Sequence, residues 1–171
     1  KELLAGLGIP VAPYALVDGP DDVAAALEQV GAPGILKTRR LGYDGKGQVR
    51  VHEAGGLAAA VDALGGADLV YEGLVAFDRE LSIVVARGAD GAVAAYPPVE
   101  NEHRDGILAC TLAPAPDLDP AKAEQARAIG VRVAEALGHV GVLCVELFDT
   151  ADGIVANEIA PRVHNSGHWT I

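Results

Sequence analysis

Two apolar runs, Val142-Leu143-Cys144-Val145-Glu146-Leu147-Phe148 and Ile154-Val155-Ala156-Asn157-Glu158-Ile159, are separated only by a turn through Asp149 to Asp152, and each carries one glutamate in its interior. Strands joined by so short a turn pair antiparallel, with facing side chains about 5 Å apart at their β carbons. An unpaired carboxylate buried in such a strand costs several kcal/mol. Two brought together repel unless a hard cation sits between them, and oxygen donors without thiolates or clustered imidazoles suit Mg²⁺ better than Zn²⁺. For either glutamate alone, a buried ion pair with Arg162 or Lys37 is the simpler expectation. Their joint placement on sequential strands favours a metal held by Glu146 and Glu158.

The second strand does not give way to ordinary turn residues. It runs into Ala160-Pro161-Arg162-Val163-His164-Asn165-Ser166-Gly167-His168-Trp169, a set of side chains suited to metal, phosphate and a polar heterocycle, and so reads as the floor of an active site. His164 and His168 have the spacing of a helical metal pair. Gly167 and the position past a strand argue against a helix there, so substrate contacts or loop hydrogen bonds are expected.

A second polar segment, Gly42-Tyr43-Asp44-Gly45-Lys46-Gly47-Gln48, lies between the apolar run Gly34-Ile35-Leu36-Lys37 and the alternating run Val49-Arg50-Val51-His52. Its glycines uncover backbone amides and Lys46 adds a cation, so it could wrap a polyphosphate. It is not a Walker A loop, because only Tyr43 and Asp44 separate its first two glycines and a strand follows. A flap closing over a nucleotide and a solvated hairpin turn are equally good readings of these residues alone. Lys37 either snorkels out of its strand or reaches a phosphate. Glu72 and Glu80 flank a short connection where an adenine edge and ribose hydroxyls could be met, or where surface acids simply line a hinge.

The remaining chain alternates strand and helix patterns without repeats. Helices are expected from Pro20 through Val30, from about Ala54 to Leu64, and from Pro120 to Leu137 with Gly138 as its stop. Strands are expected at Gly34 to Thr38, Gln48 to His52, Asp68 to Gly73, Arg79 to Arg87, Ala92 to Tyr96 and Ile107 to Leu112, and the polar stretch Glu100 to Gly106 is left unassigned. The class is α+β: a small lobe over residues 1–73 and a larger one over 74–171 with an antiparallel sheet backed by the long helix. The 171 residues are half hydrophobic, enough for a substantial core. Their 13 basic and 24 acidic residues, a formal charge of −11, argue against nucleic acid as a partner. No run reaches transmembrane length, and Cys110 and Cys144 read as reduced thiols in a cytoplasmic protein. The opening at Lys1, inside a helical pattern, suggests a piece of a longer enzyme.

In this order, the lysine-ended strand, glycine segment, acidic connection and paired glutamates resemble the ATP-grasp superfamily. Within it the chain is most similar to the 5-(carboxyamino)imidazole ribonucleotide synthase family, through Leu36-Lys37-Thr38-Arg39-Arg40, Gly42 to Gln48, His103-Arg104-Asp105-Gly106-Ile107 and Asn157 to Trp169. Other members commonly read Glu-x-Asn-x-Arg where this chain has Glu158-Ile159-Ala160-Pro161-Arg162, so Ala160 lacks a usual ligand and points to the purine branch. The resemblance implies an ATP-grasp fold, two α+β lobes with the nucleotide in the cleft between them. ATP would be held by Lys37, by Gly42, Tyr43, Asp44, Gly45, Lys46, Gly47 and Gln48 at the phosphates, by Glu72, Gly73, Leu74 and Val75 at adenine, by Glu80 at the ribose, and by His103, Asn157 and Glu158. Lys37 and Arg162 would be the catalytic cations, with Mg²⁺ on Glu146 and Glu158. Tyr43, Arg162, His164, Asn165, Ser166 and His168 would adjoin bicarbonate and 5-aminoimidazole ribonucleotide. The implied reaction is carboxylation of that ribonucleotide through carboxyphosphate, in a homodimer whose flanking N- and C-terminal domains complete the site. Another ATP-grasp carboxylase or ligase, or a non-catalytic nucleotide-binding fragment, would share the same nucleotide residues.

Overall fold

The computed structural model describes residues 1–40, 46–104 and 106–170. They divide into two compact units, one built on Ala12–Val75 and the other on Lys1–Val11, Ala76–Arg104 and the chain from Leu108 onward. Residues 1–11, expected with the smaller lobe, group instead with the larger. The reason is burial: Leu4 of α1 (Glu2–Gly6) and Ile9 lie in the larger unit's core, and Val11 bridges Ala156.

In the smaller unit, β1 (Tyr14–Val17), α2 (Val23–Val30), β2 (Gly34–Thr38), β3 (Gln48–Val51), α3 (Leu57–Ala63) and β4 (Leu69–Gly73) follow the expected order. The strands form an antiparallel sheet in the order β1-β4-β2-β3. Leu36 is paired with Tyr71, and both are fully buried in a core with Val17, Leu57, Val61 and Leu69. Side chains alternate along a strand, so Lys37 and Glu72, one step out of phase, project from the opposite face. Gly34 is required where it stands, because a β carbon there would lie 2.6 Å from the buried Tyr71 ring.

The larger unit comprises β5 (Arg79–Arg87), β6 (Val93–Ala95), β7 (Val99–Arg104), β8 (Ile107–Leu112), α4 (Pro120–Leu137), β9 (Gly141–Thr150) and β10 (Gly153–Ala160). Its sheet runs β10-β9-β5-β7-β8, with β6 also on β5. α4 spans the predicted residues and ends at the predicted Gly138, with an N-cap at Asp119 that was not foreseen. Asp119 accepts the Ala121 N–H at 2.7 Å, Pro120 occupies the first turn, and Gly138 leaves the helix at φ +56°. Ala126, Ile129, Val133 and Ala134 of α4 pack on Leu81, Ile83, Val85, Leu143, Val145 and Leu147. That covers one sheet face. The other face carries Val84, Cys144 and Ala160, and it is here that the polar side chains gather.

A β-bulge in β10 decides what that second face displays. Ala156 pairs with Leu147 and Glu158 with Glu146, two steps along β10 against one along β9. Without the bulge Glu158 would share a face with Ile154 and Ala156, both in the helix-side core. The extra residue turns it to the side of Glu146. No helix among the described residues is long and apolar enough to cross a membrane.

Candidate functional site

On β9, Glu146 stands in register between Ser82 of β5 and Glu158 of β10, and paired residues share a face. Glu146 is partly shielded and Glu158 is exposed. An ion pair with Arg162 or Lys37 is the alternative expectation for either glutamate alone, but the partner of Glu146 is another residue. It is His164, whose Nε2 lies 2.9 Å from Glu146 Oε1. Burial pushes this imidazole toward its neutral form, but its contacts to Cys144 and Glu146 outweigh that and raise it to about 10. The carboxylate is thereby engaged from behind by a side chain that belongs to the fold.

Beside this pair runs a strip of polar contacts. Asn101 donates to Ser82 Oγ at 2.6 Å, and Thr111 Oγ1 donates to Asn101 Oδ1 at 2.9 Å. Asn101 and Ser82 are buried, so their mutual bonding is what makes them tolerable inside the sheet. On the other side of Asn101, His103 Nδ1 rests against the Glu80 carboxylate. That contact raises His103 above the usual imidazole value despite its partial burial, and Glu146 pushes the same way. A cavity of about 430 Å³ opens there, lined by Phe77, Glu80, Asn101, His103, Cys110 and Leu112. Phe77 stacks on Phe148 with ring centroids 4.6 Å apart, giving the cavity an aromatic wall.

The chain after β10 forms a 3-10 turn, Asn165–Thr170. It separates the residues the sequence grouped together. His164 and Ser166 are buried and bonded inward, whereas Arg162, Asn165 and His168 are exposed. Arg162 Nη1 donates to the Val163 carbonyl at 2.9 Å. Asn165, His168 and Trp169 line a second cavity of about 410 Å³ together with Leu108 to Thr111 of β8. Trp169 meets Tyr96 edge to face at 5.5 Å.

In the smaller unit, Lys37 Nζ donates to Glu72 Oε2 at 3.1 Å, so two residues expected at a nucleotide are joined to each other. Gly73 closes β4, and Leu74 and Val75 continue as the connection. Of the glycine segment, Gly42, Tyr43, Asp44 and Gly45 lie outside the described residues. Gly47 adopts φ +75°, and its carbonyl accepts the Thr38 N–H at 2.8 Å, which returns the chain onto β3 at Gln48. Lys46 precedes it and is exposed.

The donor set suits Mg²⁺. Glu146 and Glu158 offer oxygens from facing positions, and no group of three or more His, Cys, Asp or Glu gathers to hold a metal ion among the described residues. Mg²⁺ typically takes one or two carboxylates and completes its shell with water and phosphate oxygens. Ser82, Asn101, Thr111 and Cys144 were not foreseen as parts of this face. Asn101 had a signal, a carboxamide amid an unassigned polar stretch, whereas Ser82 and Cys144 looked like ordinary strand residues.

The model of the ATP-grasp domain matches residues 2–171. The N5-carboxyaminoimidazole ribonucleotide synthase of Brucella melitensis is 48% identical over 173 residues, covering 99% of this chain and 48% of that protein. The crystal structure of N5-carboxyaminoimidazole ribonucleotide synthetase from Thermus thermophilus superposes with a TM-score of 0.91 at 48% identity, over 99% of this chain and 46% of that one. The Aspergillus clavatus N5-carboxyaminoimidazole synthase, in complex with ADP and 5-aminoimidazole ribonucleotide, gives a TM-score of 0.87 at 33% identity, over 98% of this chain and 44% of that one. The chain thus spans about half the length of the relatives it matches.

Proposed function

The chain belongs to the ATP-grasp family, and from that premise we propose that it is the nucleotide-binding part of a cytoplasmic, dimeric ligase that carboxylates 5-aminoimidazole ribonucleotide at the expense of ATP. The observation that carries the reading is the bulge that turns Glu158 toward Glu146. A strand distorted to bring two carboxylates together has a use for the charge. The names of relatives such as the Brucella melitensis protein, and the ADP and ribonucleotide in the Aspergillus clavatus complex, support the choice of reaction.

In this reading Lys37 and Lys46 neutralise the phosphates, the backbone amides of the segment Gly42 to Gln48 wrap them, Glu72 to Val75 frame adenine, and Glu80 with His103 takes the ribose. Asn157 and Glu158 face the triphosphate. Glu146 and Glu158 would hold Mg²⁺, which would supply positive charge to offset the negative charge of the phosphate oxygens. A bicarbonate oxygen attacks the γ-phosphorus, the bond to ADP breaks, and carboxyphosphate forms beside Arg162. The exocyclic amine of the ribonucleotide then attacks the carboxyl carbon, inorganic phosphate departs, and the amine loses a proton. Asn165 and His168 adjoin the acceptor.

ADP release from the complete protein tests this. It should require bicarbonate and rise with 5-aminoimidazole ribonucleotide, but not with biotin, glycine or D-alanine. Arg162→Ala should lower the stimulated rate while keeping MgATP affinity within a few-fold. Stimulation by biotin or an amino acid would move the protein to another ATP-grasp reaction, and MgATP binding with no acceptor-dependent turnover would reduce it to a binding module.

A further inference from the structure

Behind Glu146 lies a chain of buried polar side chains. His164 engages Glu146 through Nε2, its Nδ1 lies 2.8 Å from Ser166 Oγ, and that hydroxyl lies 3.6 Å from Cys144 Sγ. Ser166 and Cys144 have no exposed surface, and His164 keeps 9%. The hydroxyl's neighbour Cys144 is itself packed in an apolar cluster with Val84 and Ala160. A serine buried among such groups costs free energy unless its oxygen is bonded, and its bonds here lead to the imidazole and the thiol. An imidazole held at one nitrogen can still turn about its bond to the β carbon, whereas one held at both cannot. The turn is itself braced: Ser166 N donates to Asn165 Oδ1 at 3.0 Å and Gly167 N to the His164 carbonyl at 2.9 Å.

We infer that Ser166 is a positioning residue for the carboxylate pair: by fixing the His164 ring from behind, with Cys144 as its outer contact, it commits one Glu146 oxygen to the imidazole and leaves the other for the cation. The inference rests on the assignment of Glu146 and Glu158 as the metal pair. It also changes the role of Ser166, which the sequence grouped with acceptor contacts. Outer residues that orient a ligand typically alter metal affinity by about 10- to 100-fold when removed, so Ser166 is expected to act at the low end of that range, one step further out.

The test combines ATP titration calorimetry, with and without Mg²⁺, and ¹⁵N–¹H NMR of the His164 ring in protein free of metal and nucleotide. Ser166→Ala should reduce the Mg²⁺-dependent gain in ATP affinity about tenfold, leave metal-free ATP binding unchanged, and shift the ring nitrogen signals. Ser166→Cys should recover part of the loss, and Cys144→Ser, which keeps a polar contact for the hydroxyl, should stay within about twofold of the parent. The inference is overturned if Ser166→Ala retains the parent's Mg²⁺ dependence and ring signals. It is equally overturned if metal-free and Mg²⁺-dependent binding fall in proportion with a lower melting temperature, or if only the KM for the ribonucleotide rises. A parent whose ATP affinity ignores Mg²⁺ would remove the metal pair itself, and the inference with it; unchanged ring signals in a Mg²⁺-dependent protein would remove only the inference.

Discussion

Replacing each glutamate of the pair by glutamine should separate their two kinds of work. Glu146 accepts from a histidine that is 9% exposed, and its own side chain is 17% exposed. A hydrogen bond to a charged group contributes about 1.5–3 kcal/mol, and glutamine preserves an acceptor but not the charge, so Glu146→Gln should cost about 2 kcal/mol. For a chain of this size each kcal/mol moves the melting temperature by about 2–4 °C, giving a drop of about 4–8 °C without metal or nucleotide. Glu158 is exposed, so Glu158→Gln should melt closer to the parent than Glu146→Gln does. Both should weaken MgATP binding at least tenfold, about 1.4 kcal/mol. Scanning calorimetry at neutral pH and titration calorimetry read the two effects separately. Equal melting of Glu146→Gln and the parent, or a larger loss in Glu158→Gln, would refute the anchoring of Glu146 by His164.

Other consequences follow from the same contacts. The His103 imidazole should titrate above about 6.5 by NMR, and Glu80→Gln should bring its midpoint down, because the Glu80 contact is the main cause of the rise. Burial raises the Asp149 carboxyl, but bonds from Lys122 (2.6 Å) and Arg79 (3.0 Å) lower it further, to a value below the usual range. Its stabilisation is therefore complete above the unfolded value of about 3.9 and lost as pH falls through the folded one, and Asp149→Asn should flatten the acid limb of a melting-versus-pH curve. Gly34→Ala should destabilise by about 1–3 kcal/mol in denaturant titration, since the new methyl meets the rigid Tyr71 ring at 2.6 Å.

What the sequence revealed depended on how local the physics was. α4 was legible to its ends because Pro120 and Gly138 act within a turn of their own positions. The antiparallel pairing of the two strands was legible from a short turn between two apolar runs, but the facing of Glu146 and Glu158 depends on a bulge that was not, since unbroken register would set Asn157 opposite Glu146. Strict alternation would send Glu158 to the side of Ala156, and the register shift between those two residues brings it round to Glu146. Val99–Arg104 was missed as a strand because Glu100, Asn101, Glu102, His103 and Arg104 lack the branched and aromatic side chains that mark one. Asn101 is buried there through Ser82 and Thr111, 19 and 10 positions away in sequence. The same distance hid the link between His164 and Glu146, which no spacing rule connects.

The proposed reaction transfers a carboxyl group from bicarbonate to a ribonucleotide amine. Incubating the complete protein with ATP, Mg²⁺, 5-aminoimidazole ribonucleotide and ¹³C-bicarbonate, and following the ¹³C NMR spectrum, tests it without relying on ADP release. The expected result is a new N-carboxylate signal that appears only with ATP and coincides with ADP and phosphate formation. ATP consumption with the label remaining in bicarbonate, or appearing on a different acceptor, would contradict the account.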